Sequence, residues 1–204
     1  MKAVLAVAVA VALSPLLITG ALAAEESEHI PRLVSNVCSK CHGIRGDSQS
    51  SLFPRLAGQQ ADYIVKQLKA FRSHGRADPH AEAYMWGIAG PLADAQMKQL
   101  ADYFASQPPI HGQPASNTAL AAQGKDIYEK GVADQNIPAC QECHGKKAEG
   151  QGEIPRLAGQ HRDYLFRQIR DFRVGLRANA IMHENAKSIT DDEALAIATY
   201  LASQ

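Results

Sequence analysis

An all-α molecule built from two tandem copies of one small helical domain follows from three features of the sequence. The chain contains a long internal repeat, the repeated segments carry apolar residues at helical spacing, and no stretch alternates apolar with polar residues as a half-buried strand would. The composition fits a packed protein: 46% of the 204 residues are hydrophobic, and 21 basic side chains balance 21 acidic ones. Neither a disordered chain nor a basic nucleic-acid-binding surface is expected from such a balance.

The elements follow in order. Met1-Lys2 precedes an apolar run from Ala3 to Leu22 that ends in Ala21-Leu22-Ala23, a small-x-small cleavage pattern. Residues 1–23 are therefore expected to be a cleaved export signal, with a retained membrane anchor as the competing reading. The first domain is placed at 24–107, a linker rich in Pro, Gly and polar residues at 108–117, and the second domain at 118–204. Cys38-Ser-Lys-Cys41-His42-Gly43 recurs as Cys140-Gln-Glu-Cys143-His144-Gly145, and the hexapeptide Pro-Arg-Leu-Ala-Gly-Gln stands unchanged at 54–59 and 155–160. Asp62 to Arg72 and Asp163 to Arg173 then read as paired amphipathic helices, with Tyr63, Ile64, Leu68 and Phe71 matched by Tyr164, Leu165, Ile169 and Phe172. An acidic residue opens each, where the helix dipole favours it. A second pair runs from Asp94 to Ser106 and from Thr190 to Ser203, the latter beginning with a Thr-Asp-Asp-Glu capping box.

The duplicated Cys-x-x-Cys-His points to chemistry. In c-type haem attachment both thiols add to the porphyrin vinyl groups and the adjacent imidazole ligates iron. A zinc site, a redox dithiol and structural disulfides compete, but the two cysteine pairs lie in separate repeats, and a redox pair needs no following His. Two covalent haem c groups are thus expected, on Cys38 and Cys41 and on Cys140 and Cys143, with His42 and His144 as axial ligands. The sixth ligands are expected to be Met85 and Met182, which stand at the same distance before the last helix of each unit. Gap-filling core methionines are the alternative. Met97 aligns with Ala194 and reads as helix packing. Carbonyls at Pro54 and Pro155 are placed to accept the Nδ1 proton of His42 and His144, against plain turn prolines. Arg55 and Arg156 are candidates to pair with haem propionates, against solvated arginines.

These motifs resemble the dihaem cytochrome c4 family, two class I cytochrome c domains fused head to tail. The resemblance covers the whole chain after the signal, and the duplicated Pro-Arg-Leu-Ala-Gly-Gln followed by a helix ending in Phe-Arg carries it. It implies two domains facing each other about a pseudo-twofold axis. It also implies a periplasmic electron carrier, often membrane-associated, between a quinol-oxidising cytochrome bc complex and a terminal oxidase. Iron ligated on both sides leaves no open position, so no enzymatic activity and no small-molecule substrate are expected. The rivals are a dihaem peroxidase-type enzyme using His80 or His183, and the cytochrome subunit of a sulfur-oxidising or other dehydrogenase complex. One departure from the family is visible. The second unit opens with Ala122 to Tyr128, like the family's N-terminal helix, whereas Pro31 and the lack of a matching Gly predict a shorter or irregular helix in the first. Tyr103, Phe104, Tyr200 and Leu201 are still expected to pack there.

Overall fold

The computed structural model describes residues 30–204; the expected signal at 1–23 lies outside the described residues. The described residues are helical and contain isolated β-bridges but no strand. The chain is helical from 30 to 42 (α1), where Val34–Cys38 winds as a π turn before Ser39–His42 closes the helix. The expected irregularity is thus a π turn, and the helix runs without a break into the Cys-x-x-Cys-His segment. In the second unit the corresponding helix α5, Thr118–Lys130, is separated from the motif helix α6, Gln141–His144, by a loop with a 3-10 turn at Ala133–Gln135.

The remaining elements come in pairs. They are α2 (Ala61–Arg72) and α7 (Arg162–Arg173), then α3 (a π turn at Ala81–Met85 continued by Trp86–Ala89) and α8 (Ala180–Ala186), and finally α4 (Asp94–Ala105) and α9 (Asp191–Ala202). The Phe-Arg endings of α2 and α7 have a structural reason. Arg72 donates to Leu92 O at 2.9 Å and to Asp94 at 2.6 Å, and Arg173 repeats this on Ile189 O at 2.8 Å and Asp191 at 2.6 Å. Each arginine ties one helix's end to the next paired helix's start.

Each unit buries its own apolar cluster. Ile30, Val34, Ile64, Leu68, Phe71, Met97, Leu100 and Phe104 form the first, and Ile127, Tyr128, Leu165, Phe172, Ile197, Tyr200 and Leu201 belong to the second. Gly124 lets α5 and α9 touch: a Cβ there would stand 2.0 Å from Ala196 O. The two units meet face to face through equivalent residues. Arg76 and Arg177 pair their backbones in an antiparallel bridge, and the guanidinium of each reaches a glutamine of the other unit, Gln168 at 2.6 Å and Gln67 at 2.9 Å. Reciprocal contacts between matched residues are what a pseudo-twofold axis imposes.

Candidate functional site

The duplicated motif sits on a helical turn in both units, so that Cys38 and Cys41, like Cys140 and Cys143, lie one turn apart and His42 or His144 ends the helix. A glycine must follow: Gly43 has φ 78° and Gly145 φ 84°, a left-handed conformation that stops the helix. No disulfide joins any of the four cysteines. Among the described residues no group of His, Cys, Asp and Glu is arranged to hold a metal ion by itself, so the geometry does not favour zinc.

Both histidines are buried and fixed from one side. His42 Nδ1 donates to Pro54 O at 2.9 Å and His144 Nδ1 to Pro155 O at 3.1 Å, the carbonyl contacts expected from the sequence. Burial holds both imidazoles below their ordinary pKa, with the carbonyl acting in the opposite direction. A neutral ring that donates through Nδ1 presents the Nε2 lone pair, which is the form a metal ligand needs.

Met85 ends the π turn of α3 and packs, partly buried, against the same cluster as Cys38; Met182 on α8 packs against the same cluster as Cys140. Phe53 bridges the two sides of the first site, its ring 6.2 Å from His42 and 5.3 Å from Tyr84, the residue before Met85. Met97, by contrast, is fully buried within α4 and belongs to the core, as its lack of a repeated partner indicates. Each unit therefore sets two cysteines and an oriented imidazole on one helical turn and packs a methionine against the same apolar cluster as one of those cysteines, residue types that suit a covalently attached haem. His183 Nδ1 is likewise bonded to a carbonyl, Phe172 O at 2.9 Å, but the matching position of the first unit is Trp86.

Arg55 and Arg156 lie at the domain interface. Arg55 Nη1 donates to Gly159 O at 2.5 Å, which leaves other donors of the fork for a further partner. Between them stand two residues that the sequence reading passed over. The amide of Gln160 accepts from Arg55 N and donates to Arg55 O, both at 2.9 Å; that of Gln59 accepts from Arg156 N at 2.8 Å and donates to Arg156 O at 2.9 Å. Both glutamines are buried. The signal that pointed to them was the exact repetition of the hexapeptide, because two identical segments facing across an axis satisfy each other's backbone.

The comparisons agree with this geometry. Residues 27–108 and 121–204 each match the family described as Cytochrome c. A cytochrome c-552 of Acidithiobacillus ferridurans is 44% identical over 85% of this chain and 76% of its own. A cytochrome c4 of Thiocapsa roseopersicina is 38% identical over 82% and 86%, and a thiosulfate dehydrogenase electron acceptor of Thiomonas intermedia is 37% identical over 82% and 78%. The solved cytochrome c4 of Acidithiobacillus ferrooxidans superimposes with a TM-score of 0.77 at 44% identity, covering 82% of this chain and 98% of that one. The chain accordingly belongs to the cytochrome c family as a tandem, two-domain member of the cytochrome c4 type, an electron-transfer protein that carries two covalent haem c groups and is not an enzyme.

Proposed function

We infer that Cys38 and Cys41 hold one haem, with His42 and Met85 as its axial ligands, and that Cys140 and Cys143 hold the other, with His144 and Met182. The observation that supports this most is the pair of proline carbonyls accepting from His42 and His144 Nδ1, which leaves the same ring nitrogen, Nε2, to serve as the ligand in both units. When bound, each haem supplies an iron centre that exchanges one electron, at a potential raised by thioether ligation. The chain's residues do the rest. The proline carbonyls fix the ring plane and raise ligand basicity. The apolar clusters exclude water from one side of each site. The guanidiniums of Arg55 and Arg156, depressed in pKa by burial, gain from an acidic partner, which supports their pairing with propionates. Glu142 beside the second site against Lys40 beside the first makes the two surroundings unequal.

The protein then works as an exported, periplasmic carrier between a quinol-oxidising cytochrome bc complex and a terminal oxidase. The cytochrome c4 relatives support this reading. Among the described residues no helix is long and apolar enough to cross a membrane, so contact with the membrane would be peripheral there. The second reading, an acceptor serving a dehydrogenase of sulfur compounds, is favoured by the Thiomonas relative.

An optical redox titration with haem quantification tests the ligands. Two haems per chain, both low-spin and both showing the charge-transfer band of methionine sulfur on ferric iron, are expected; a high-spin haem in the native protein would overturn the assignment. Met85→Ala and Met182→Ala should each remove that band from one haem and lower its potential. Mixing the oxidised protein with quinol and a bc complex, or with thiosulfate and its dehydrogenase, ranks the two routes by reduction rate.

A further inference from the structure

The peptide group joining Pro54 to Arg55 is held at both ends. Its carbonyl oxygen accepts from His42 Nδ1 at 2.9 Å, and its N–H donates to Oε1 of Gln160, in the other domain, at 2.9 Å. The peptide joining Pro155 to Arg156 is held in the same way, by His144 at 3.1 Å and by Gln59 Oε1 at 2.8 Å. An amide is a resonance hybrid, so an acceptor at its N–H shifts electron density onto its oxygen. Hydrogen bonds in such a chain strengthen one another, by roughly 10–30% per bond. Each glutamine oxygen is itself fixed by an amide at the start of its own helix, His161 N at 3.0 Å for Gln160 and Gln60 N at 2.9 Å for Gln59. The acceptor geometry is therefore built into the fold.

We propose that Gln160 and Gln59 are crossed positioning residues, each setting through one peptide group the donor strength of the axial histidine in the opposite domain. This rests on the assignment of His42 and His144 as iron ligands. The sign follows from the chemistry. A more strongly held Nδ1 proton gives the imidazole more anionic character, which stabilises ferric iron and lowers the potential. Removing Gln160 weakens the bond at His42 and raises the potential of the first haem, although Gln160 belongs to the second domain. Removing Gln59 does the same to the second haem. Docking of the two domains thus tunes both irons, and a partner that loosens the interface would shift both potentials upward together.

The test uses the two-haem protein carrying Gln160→Met or Gln59→Met, amide-free side chains of similar length. Gln160→Met should raise the first haem's potential, changing the equilibrium constant for electron exchange between the haems about threefold, which at 59 mV per tenfold for one electron is about 28 mV. In the reduced protein the His42 Nδ1 proton resonance should move upfield while that of His144 stays. Gln59→Met should give the mirror result. Gln160→Glu, which gives up the donor to Arg55 O for a stronger acceptor at Arg55 N–H, serves if the methionine variant fails to fold and should move the His42 resonance downfield. Unmoved resonances and potentials, equal shifts at both haems, or a shift confined to the variant's own domain would each overturn the proposal. Loss of the methionine band in the native protein would instead overturn the ligand assignment beneath it.

Discussion

Met85 and Met97 are the same residue type in one small domain, and the structure places them differently. Met97 is fully buried between helices, whereas Met85 ends a π turn and keeps part of its surface open beside Cys38's cluster. Met97→Ala should therefore cost about 2–5 kcal/mol, the usual range for a buried large-to-small change. Denaturant titration would read that loss, while the optical spectrum of both haems stays native. A spectral change in Met97→Ala would mean that the roles of the two methionines had been exchanged. This distinction was legible beforehand, because Met85 has a repeated partner in Met182 and Met97 has only Ala194. The glutamine clamps were not. Their partners lie about a hundred residues away in sequence, and a repeat alone does not say which face of each copy turns towards the other.

The paired helices follow from capping and periodicity to within a residue at most of their ends. The π turns at Val34–Cys38 and Ala81–Met85 carry no such pattern, since one extra residue in a turn leaves the apolar spacing nearly unchanged. At α9 the expected capping box is present: Glu193 N donates to Thr190 Oγ1 at 3.2 Å and Thr190 N to Glu193 at 2.8 Å. The paired helix α4 has only half of it, Ala93 N donating to Gln96 Oε1 at 2.9 Å, because Ala93 offers no oxygen in return. Ala93 already has the extended backbone of a cap residue, φ −72° and ψ 156°. Ala93→Thr should thus stabilise the first domain by about 0.5–1 kcal/mol in thermal or chemical denaturation. An unchanged midpoint would show that water already satisfies this helix end. The contact between α5 and α9 is less forgiving. A methyl at Gly124 would meet the Ala196 carbonyl, which is backbone and cannot turn aside. Gly124→Ala should cost about 3 kcal/mol, because overpacking exceeds the gain in helix propensity. The loss should fall on the second domain, where Tyr128 O–H also ties α5 to Gly145 O at 2.6 Å.

The two domains act on each other through buried charge. Arg76 and Arg177 lie in the interface with guanidiniums 4.8 and 4.5 Å from the rings of Phe71 and Phe172, and Asp78 ion-pairs with Arg76 at 2.7 Å. Tyr63, Tyr164, Gln67 and Gln168 complete the hydrogen bonds, and a second carboxylate, Asp171, accepts from Gln168 at 3.0 Å. The carboxylates titrate in opposite senses. Burial opposes the charge on Asp78, but Arg76 outweighs it and holds Asp78 below its ordinary value; burial and the neighbouring Asp78 charge raise Asp171, against Arg76, Arg177 and His80. Because Asp78's folded value is depressed, its contribution is complete above the unfolded value of about 3.9 and is lost as pH falls through the folded one. Protonation of Asp171, whose folded value is raised, comes earlier on acidification and favours the fold. Acid should therefore loosen the interface only below about pH 4, after Asp171 is already neutral. Asp78→Asn, which installs the amide that the second unit carries at Asn179, leaves the buried Arg76 guanidinium without its ion pair. It should cost about 3–5 kcal/mol at neutral pH. It should also flatten the acid limb, because the group that titrates there is gone. By contrast the exposed Lys66–Glu153 bridge across the same interface, at 2.6 Å, should contribute less than about 1 kcal/mol and fade with salt. Denaturation of the native chain, Asp78→Asn and Glu153→Gln at about pH 7 and about pH 3 separates these effects. If Asp78→Asn loses as much stability on acidification as the native chain does, the acid sensitivity lies outside the interface and the buried arginines are neutralised by another group.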